Sequence, residues 1–150
     1  MIYTSYFANL RNIPETIFRV SIARYSDKFP DIARYEPLMP SAQLLYKVKH
    51  GIYNQYKYVK EFNSYLYGNL DAEKVAEDLN SLAGGRDVVL LCYEKPENFC
   101  HRQLVAKWLV DNCIRCQEYG QPELSSQEWL AKLGFTDEEL HKTQICSDCL

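Results

Sequence analysis

A chain of 150 residues, 47% hydrophobic and 25% charged, holds enough apolar material to bury a real core, which excludes a disordered or fibrous protein. No apolar run reaches the roughly 20 residues of a bilayer-crossing helix, and the opening MIYTSYFANLRN lacks the regions of a secretion signal. The net charge of -3 conceals an asymmetry: residues 1–60 carry nine Lys/Arg and four Asp/Glu, residues 61–150 eight and sixteen. A cytoplasmic protein with no membrane partner is the expectation. Its six cysteines are then expected to be thiols or metal ligands rather than disulfides. No acidic residue falls between Pro37 and Lys60, so that stretch would draw an anionic partner.

Along the chain, Ile2 to Phe7 is rich in β-formers and suits a first strand. Thr16 to Ala23 suits a second, with Phe18, Val20 and Ile22 alternating onto one face. Residues 24–41 hold three prolines and read as a long surface excursion. Ser41 can cap a short helix with Leu44, Leu45 and Val48, stopped by Gly51. Tyr58, Phe62, Tyr65 and Leu66 make a helical stripe. Asp71 can cap the next helix, where Val75, Leu79 and Leu82 share a face before Gly84-Gly85 ends it.

The run Val88-Val89-Leu90-Leu91 predicts a strand buried on both faces, which points to a partly parallel sheet flanked by helices, an α/β fold. A polar loop with Pro96 leads into a helix from about Phe99 to Cys113, with Asn98 read as its N-cap. Beyond Gly120, Ser125-x-x-Glu128 and Thr136-x-x-Glu139 have capping-box spacing. They predict two short helices packed through Trp129, Leu130, Leu133, Phe135 and Leu140. The organisation expected is one α/β domain over 1–120 with a helical tail over 121–150 packed on it.

In open α/β sheets ligands sit beyond the carboxyl ends of the strands. Cys100, His101 and Arg102, at a helix start that follows such a strand, therefore read as a site. The unpaired N–H groups and dipole of that helix end favour an anion, and Arg102 would add charge. Cys92 and Glu94, two residues apart at the strand's end, are expected on one face. Glu94 would accept a proton, hold a ribose hydroxyl or pair with Arg102, and a first-turn Cys100 should have a lowered pKa. Plain burial also explains both cysteines: Cys92 lies in an apolar strand, and Cys100 is spaced four and eight residues from Leu104 and Trp108. As neighbours on a helix, Cys100 and His101 should diverge rather than form a nucleophile–base dyad. A cysteine-phosphatase loop from Cys92 to Arg102 is disfavoured by its length and its lack of glycine.

LLCYEKPENFCHR, with IYTSYFANL and LMPSAQLLYKVKHG, resembles the prokaryotic and phage family of domain of unknown function 488 over Met1 to Asp111. The positions matching its signature are Cys92, Glu94, Cys100, His101 and Arg102. The resemblance implies a compact α/β fold and brings no assigned reaction.

Cys113-x-x-Cys116 and Cys146-x-x-Cys149, with 29 residues between them, would make a structural zinc site if brought together, but the long spacer and the lack of Gly or Pro favour unligated or merely buried thiols. Lys47, Lys49, Lys57 and Lys60 interleave with tyrosines in a way that suits nucleic-acid stacking, but helical spacing favours buried aromatics under solvated lysines. The leading expectation is an enzyme-like domain binding a nucleotide or other small anionic substrate. Cys100, His101 and Glu94 would do the chemistry, and Arg102, Cys92, Ser5, Tyr6, Ser21 and Arg24 would complete the crevice. The alternative is a non-catalytic nucleic-acid or protein-binding module with a zinc-stiffened tail, and a third reading has Cys92 and Cys100 form a redox pair or bind metal with His101.

Overall fold

The computed structural model describes residues 1–136 and 138–140. Five strands, β1 (Ile2–Tyr6), β2 (Phe18–Ser21), β3 (Ala33–Arg34), β4 (Val88–Cys92) and β5 (Cys116–Glu118), form one all-parallel sheet in the order β3-β2-β4-β1-β5. β4 is threaded between β1 and β2, with Val88 opposite Ile2 on one side and Phe18 on the other. All five of its residues are buried. That is why an unbroken apolar run is stable there: each side chain has a covered face to enter.

The period-two alternation of β4 separates two clusters. Val88 and Leu90 pack with Phe62, Leu66, Val75, Leu79, Leu104 and Trp108 from α2 (Gln55–Asn69), α3 (Ala72–Ala83) and α4 (His101–Asp111). Val89 and Leu91 face a smaller cluster with Phe7, Ile13 and Ile17, covered by the 3-10 segment Phe7–Asn12. The remaining described α-helices are α1 (Ala42–Lys49) and α5 (Ser126–Leu133).

Local chemistry sets the helix ends. Ser41 Oγ accepts the Leu44 N–H at 3.0 Å and Asp71 Oδ1 the Glu73 N–H at 3.0 Å. Ser125 and Glu128 exchange both capping-box bonds, at 3.2 and 3.1 Å. Gly84, at φ 60°, supplies the left-handed residue that ends α3. The α3 face differs from the pattern expected: Ala72, Val75, Leu79 and Ala83 are buried, while Leu82 is 45% exposed at the edge of the stripe. On α2 the stripe holds, with Tyr58, Phe62 and Leu66 buried.

The proline-rich excursion is not loose loop. It contains β3 and the 3-10 turn Glu36–Leu38, and it buries Tyr35, Leu38 and Met39. Beyond Gly120, Trp129 and Leu140 enter the same core as Leu104 and Trp108, and Asn63 Nδ2 donates to the Leu140 carbonyl at 2.6 Å. Thr136 and Glu139 exchange capping bonds, but the described residues after them form a turn. The rest of the second expected helix lies outside the described residues. No helix among the described residues is long and apolar enough to cross a membrane.

Candidate functional site

The carboxyl ends of β2 and β4 and the start of α4 meet at a cavity of about 390 Å³, roofed by α1 and the start of α2. Ala23, Arg24 and Tyr25 follow β2, and Tyr93 and Glu94 follow β4. Phe99, Cys100 and His101 bring in α4, while Leu45, Val48 and Tyr58 close the apolar side. Tyr93 Oη donates to the Tyr25 carbonyl at 2.8 Å, which ties the end of β4 to the segment after β2 at the rim.

Cys100, not Asn98, is the N-cap of α4, with extended backbone at φ -143° and ψ 147°. Lys95 to Phe99 continue the loop, and Gln103 fixes the helix start by accepting the Cys100 N–H at 3.3 Å. This changes what the neighbours can do. Divergence of adjacent side chains holds inside a helix, but here only His101 is helical. Cys100 Sγ accordingly lies 3.8 Å from His101 Nδ1. His101 Nε2 sits 2.8 Å from the Ile22 carbonyl, to which it donates, leaving Nδ1 with its lone pair turned to the sulfur. Burial pushes the imidazole pKa down to about 4, and the ring is held edge-on to Phe62 at 5.4 Å.

Cys92 Sγ is at bonding distance from Cys100 Sγ, 2.08 Å, where the sequence reading expects thiols or metal ligands. The reason is the convergence of the β4 end with the α4 cap. Cys92, Cys100 and His101 place their ligating atoms within 4.8 Å of one another, and all three residues are buried. Among the described residues this is the one such group.

Arg102 lies inward of that cluster and is fully buried. Its Nε and Nη2 donate to the two carboxylate oxygens of Glu118 at 3.0 and 2.9 Å. Its Nη1 donates to Cys92 Sγ at 3.1 Å and to the Glu94 carbonyl at 2.5 Å. The guanidinium is thus turned to β5 and to Cys92 rather than into the cavity. Glu94 differs from expectation too: β4 ends at Cys92, so strand alternation no longer directs it, and its side chain is exposed at the cavity mouth.

The other site residues separate. Ser5 is buried and accepts from Asn9 Nδ2 at 3.1 Å, while the Tyr6 ring lies 5.8 Å from the Arg102 guanidinium. Ser21 is buried 3.0 Å from Ser26 Oγ. Neither serine lines the cavity, whereas Arg24 does, with Nε donating to the Pro40 carbonyl at 2.5 Å and Nη1 3.6 Å from Glu36. Cys113 follows α4 in the left-handed region at φ 63°. Cys116 is fully buried in the helical core, and that burial pushes its thiol pKa up. Cys146 and Cys149 lie outside the described residues. Sequence reasoning missed the Ile22 carbonyl and Glu118. A backbone acceptor leaves no trace in residue type, and Glu118 sits in a strand of three residues.

The fold and this site define an open parallel α/β domain with a cavity at the strands' carboxyl ends, where such sheets bind ligands. The chain belongs to the DUF488 family: the family model described as "Active DUF488-N3 subclade" matches residues 10–113. No curated protein and no solved structure matches the chain.

Proposed function

We propose that this protein is an enzyme acting on a nucleotide or a similarly small anionic substrate in the cavity between β2, β4 and α4. The observation that carries the reading is the wall formed by Cys92, Cys100 and His101 at the carboxyl ends of parallel strands. The rest of the lining fits such a ligand. Tyr25, Tyr58, Tyr93 and Phe99 offer aromatic surface to a base, and Arg24 offers positive charge at the rim. The start of α4 adds its dipole. The neutral imidazole beside Cys100 presents its Nδ1 lone pair to that wall. The word "active" in the family description accords with catalysis.

A second reading is a nucleic-acid-binding module. Lys47 and Lys57 both lie over the Tyr53 ring, at 4.8 and 5.3 Å, and Lys60 lies over Tyr56 at 5.5 Å. Lys47 belongs to α1, Tyr56, Lys57 and Lys60 to α2, and Tyr53 to the link between them. A panel of nucleoside mono-, di- and triphosphates followed by amide-resolved NMR separates the two readings. The enzyme reading requires shifts at Tyr25, Tyr93 and His101 and roughly tenfold weaker binding in Arg24→Ala, about the loss of one charge-assisted hydrogen bond. Binding of single-stranded oligonucleotides alone, weakened by salt and by Lys57→Ala with Lys60→Ala, would replace it with the module.

A further inference from the structure

We propose that Cys92, Cys100 and His101 form a zinc site with one open coordination position facing the cavity. The assignment is independent of which substrate enters, so it goes beyond the function proposed above. Three observations on different atoms converge on it.

The first is backbone width. The Cys92 and Cys100 Cα atoms are 7.3 Å apart, wider than the roughly 4.4–6.8 Å that disulfides span. Two thiolates on a common tetrahedral ion stand about 3.8 Å apart, which suits a wider backbone separation than a disulfide does. The second is the histidine. Tetrahedral zinc with bonds of about 2.3 Å to sulfur and 2.0–2.1 Å to nitrogen places such ligand atoms about 3.6 Å apart. Cys100 Sγ and His101 Nδ1 stand at 3.8 Å. Nε2 is engaged with the Ile22 carbonyl at 2.8 Å, the outer hydrogen bond that metal-bound imidazoles characteristically make. The third is Arg102, whose Nη1 donates to Cys92 Sγ at 3.1 Å while Glu118 fixes the guanidinium from behind. A donor in that place is the kind of outer hydrogen bond that orients a metal-bound sulfur.

The donor set is two sulfurs and one nitrogen. Soft thiolate with imidazole selects zinc over hard cations, and three protein ligands leave the fourth position for water or substrate. That position opens on the cavity, because Cys92, Cys100 and His101 are all in its lining. Loading starts from the reduced pair. A dithiol gives two electrons and two protons to the Cys92–Cys100 bond and becomes a disulfide itself. The two thiols then release two protons as zinc binds.

The test is cobalt titration of the reduced, chelator-treated protein, with proton release read in weak buffer and zinc counted by mass spectrometry in parallel. One cobalt per chain, a thiolate-to-metal charge-transfer band and two protons released are the expected result. The band should weaken in Cys92→Ser, Cys100→Ser and His101→Ala, and persist in Cys116→Ser. Adding azide should change the ligand-field bands, since an open position accepts it and a closed four-cysteine site does not. Circular dichroism of each variant guards against loss of fold, and proton release by the unmutated chain does not depend on any variant folding. Uptake that survives Cys100→Ser, or no uptake by the folded reduced protein, overturns the assignment. No nucleotide is present, so failure here leaves the substrate reading standing, and failure of nucleotide binding leaves the metal site standing.

Discussion

The two ends of α4 each bury an ion pair, and they use it differently. At the start, Arg102 reaches Glu118 on β5 and Cys92 on β4, tying helix to sheet beside an open cavity. At the end, Lys107 pairs with Asp111 one turn later, at 2.7 Å, and Asp111 also accepts from Tyr67 of α2 and Ser126 of α5. That end is sealed by helices. One helix thus carries an anchored, closed half and another half that borders an open cavity. The lesson is that a buried charge pair says little by itself, and what its partners border decides whether it supports chemistry or only packing.

The contrast can be broken at its strongest point first. Arg102→Met leaves Glu118 buried with the Thr4 hydroxyl at 2.7 Å as its remaining described side-chain donor. The loss should be about 3–5 kcal/mol in urea unfolding, and adding Glu118→Leu should recover much of it. Full stability of the single variant would show that the pair does not hold α4 to the sheet. Lys107→Met should lose less, about 2–3 kcal/mol, because two hydroxyls still donate to Asp111. Equal losses at the two ends would erase the distinction. Ser125→Ala removes the cap of α5 and should lower stability by about 1 kcal/mol, with ligand binding unchanged. A change in binding would mean that the sealed end speaks to the cavity. Glu94→Gln, at an exposed side chain, should stay within about 0.5 kcal/mol. Activity, once a substrate is found, then reports whether that carboxylate is used.

Much of this was legible in residue order wherever the signal is local. The apolar run of β4, the caps at Ser41, Asp71 and Ser125, and the stop at Gly84 depend on neighbours a few residues apart. Two strands escaped because β3 and β5 span two and three residues, too short for alternation to register. Residue type puts the start of α4 two residues early, since Asn98 is a better capping residue than Cys100. That small shift reversed the reading of Cys100 and His101, from diverging neighbours to a pair 3.8 Å apart. Glu118 was out of reach for a different reason: its bond with Arg102 spans 16 residues and depends on β5 lying beside β1.

The position of β4 has a consequence for how the chain assembles. β1 and β2 share no edge; each meets the other only through β4. Residues 1–87 therefore contain the first three strands without the one that joins β1 to β2. On a ribosome, the central sheet has to wait until residues 88–92 have emerged, and loop closure over that distance makes the step slow. During that wait the edges of β1 and β2 that β4 will join have no strand to pair with.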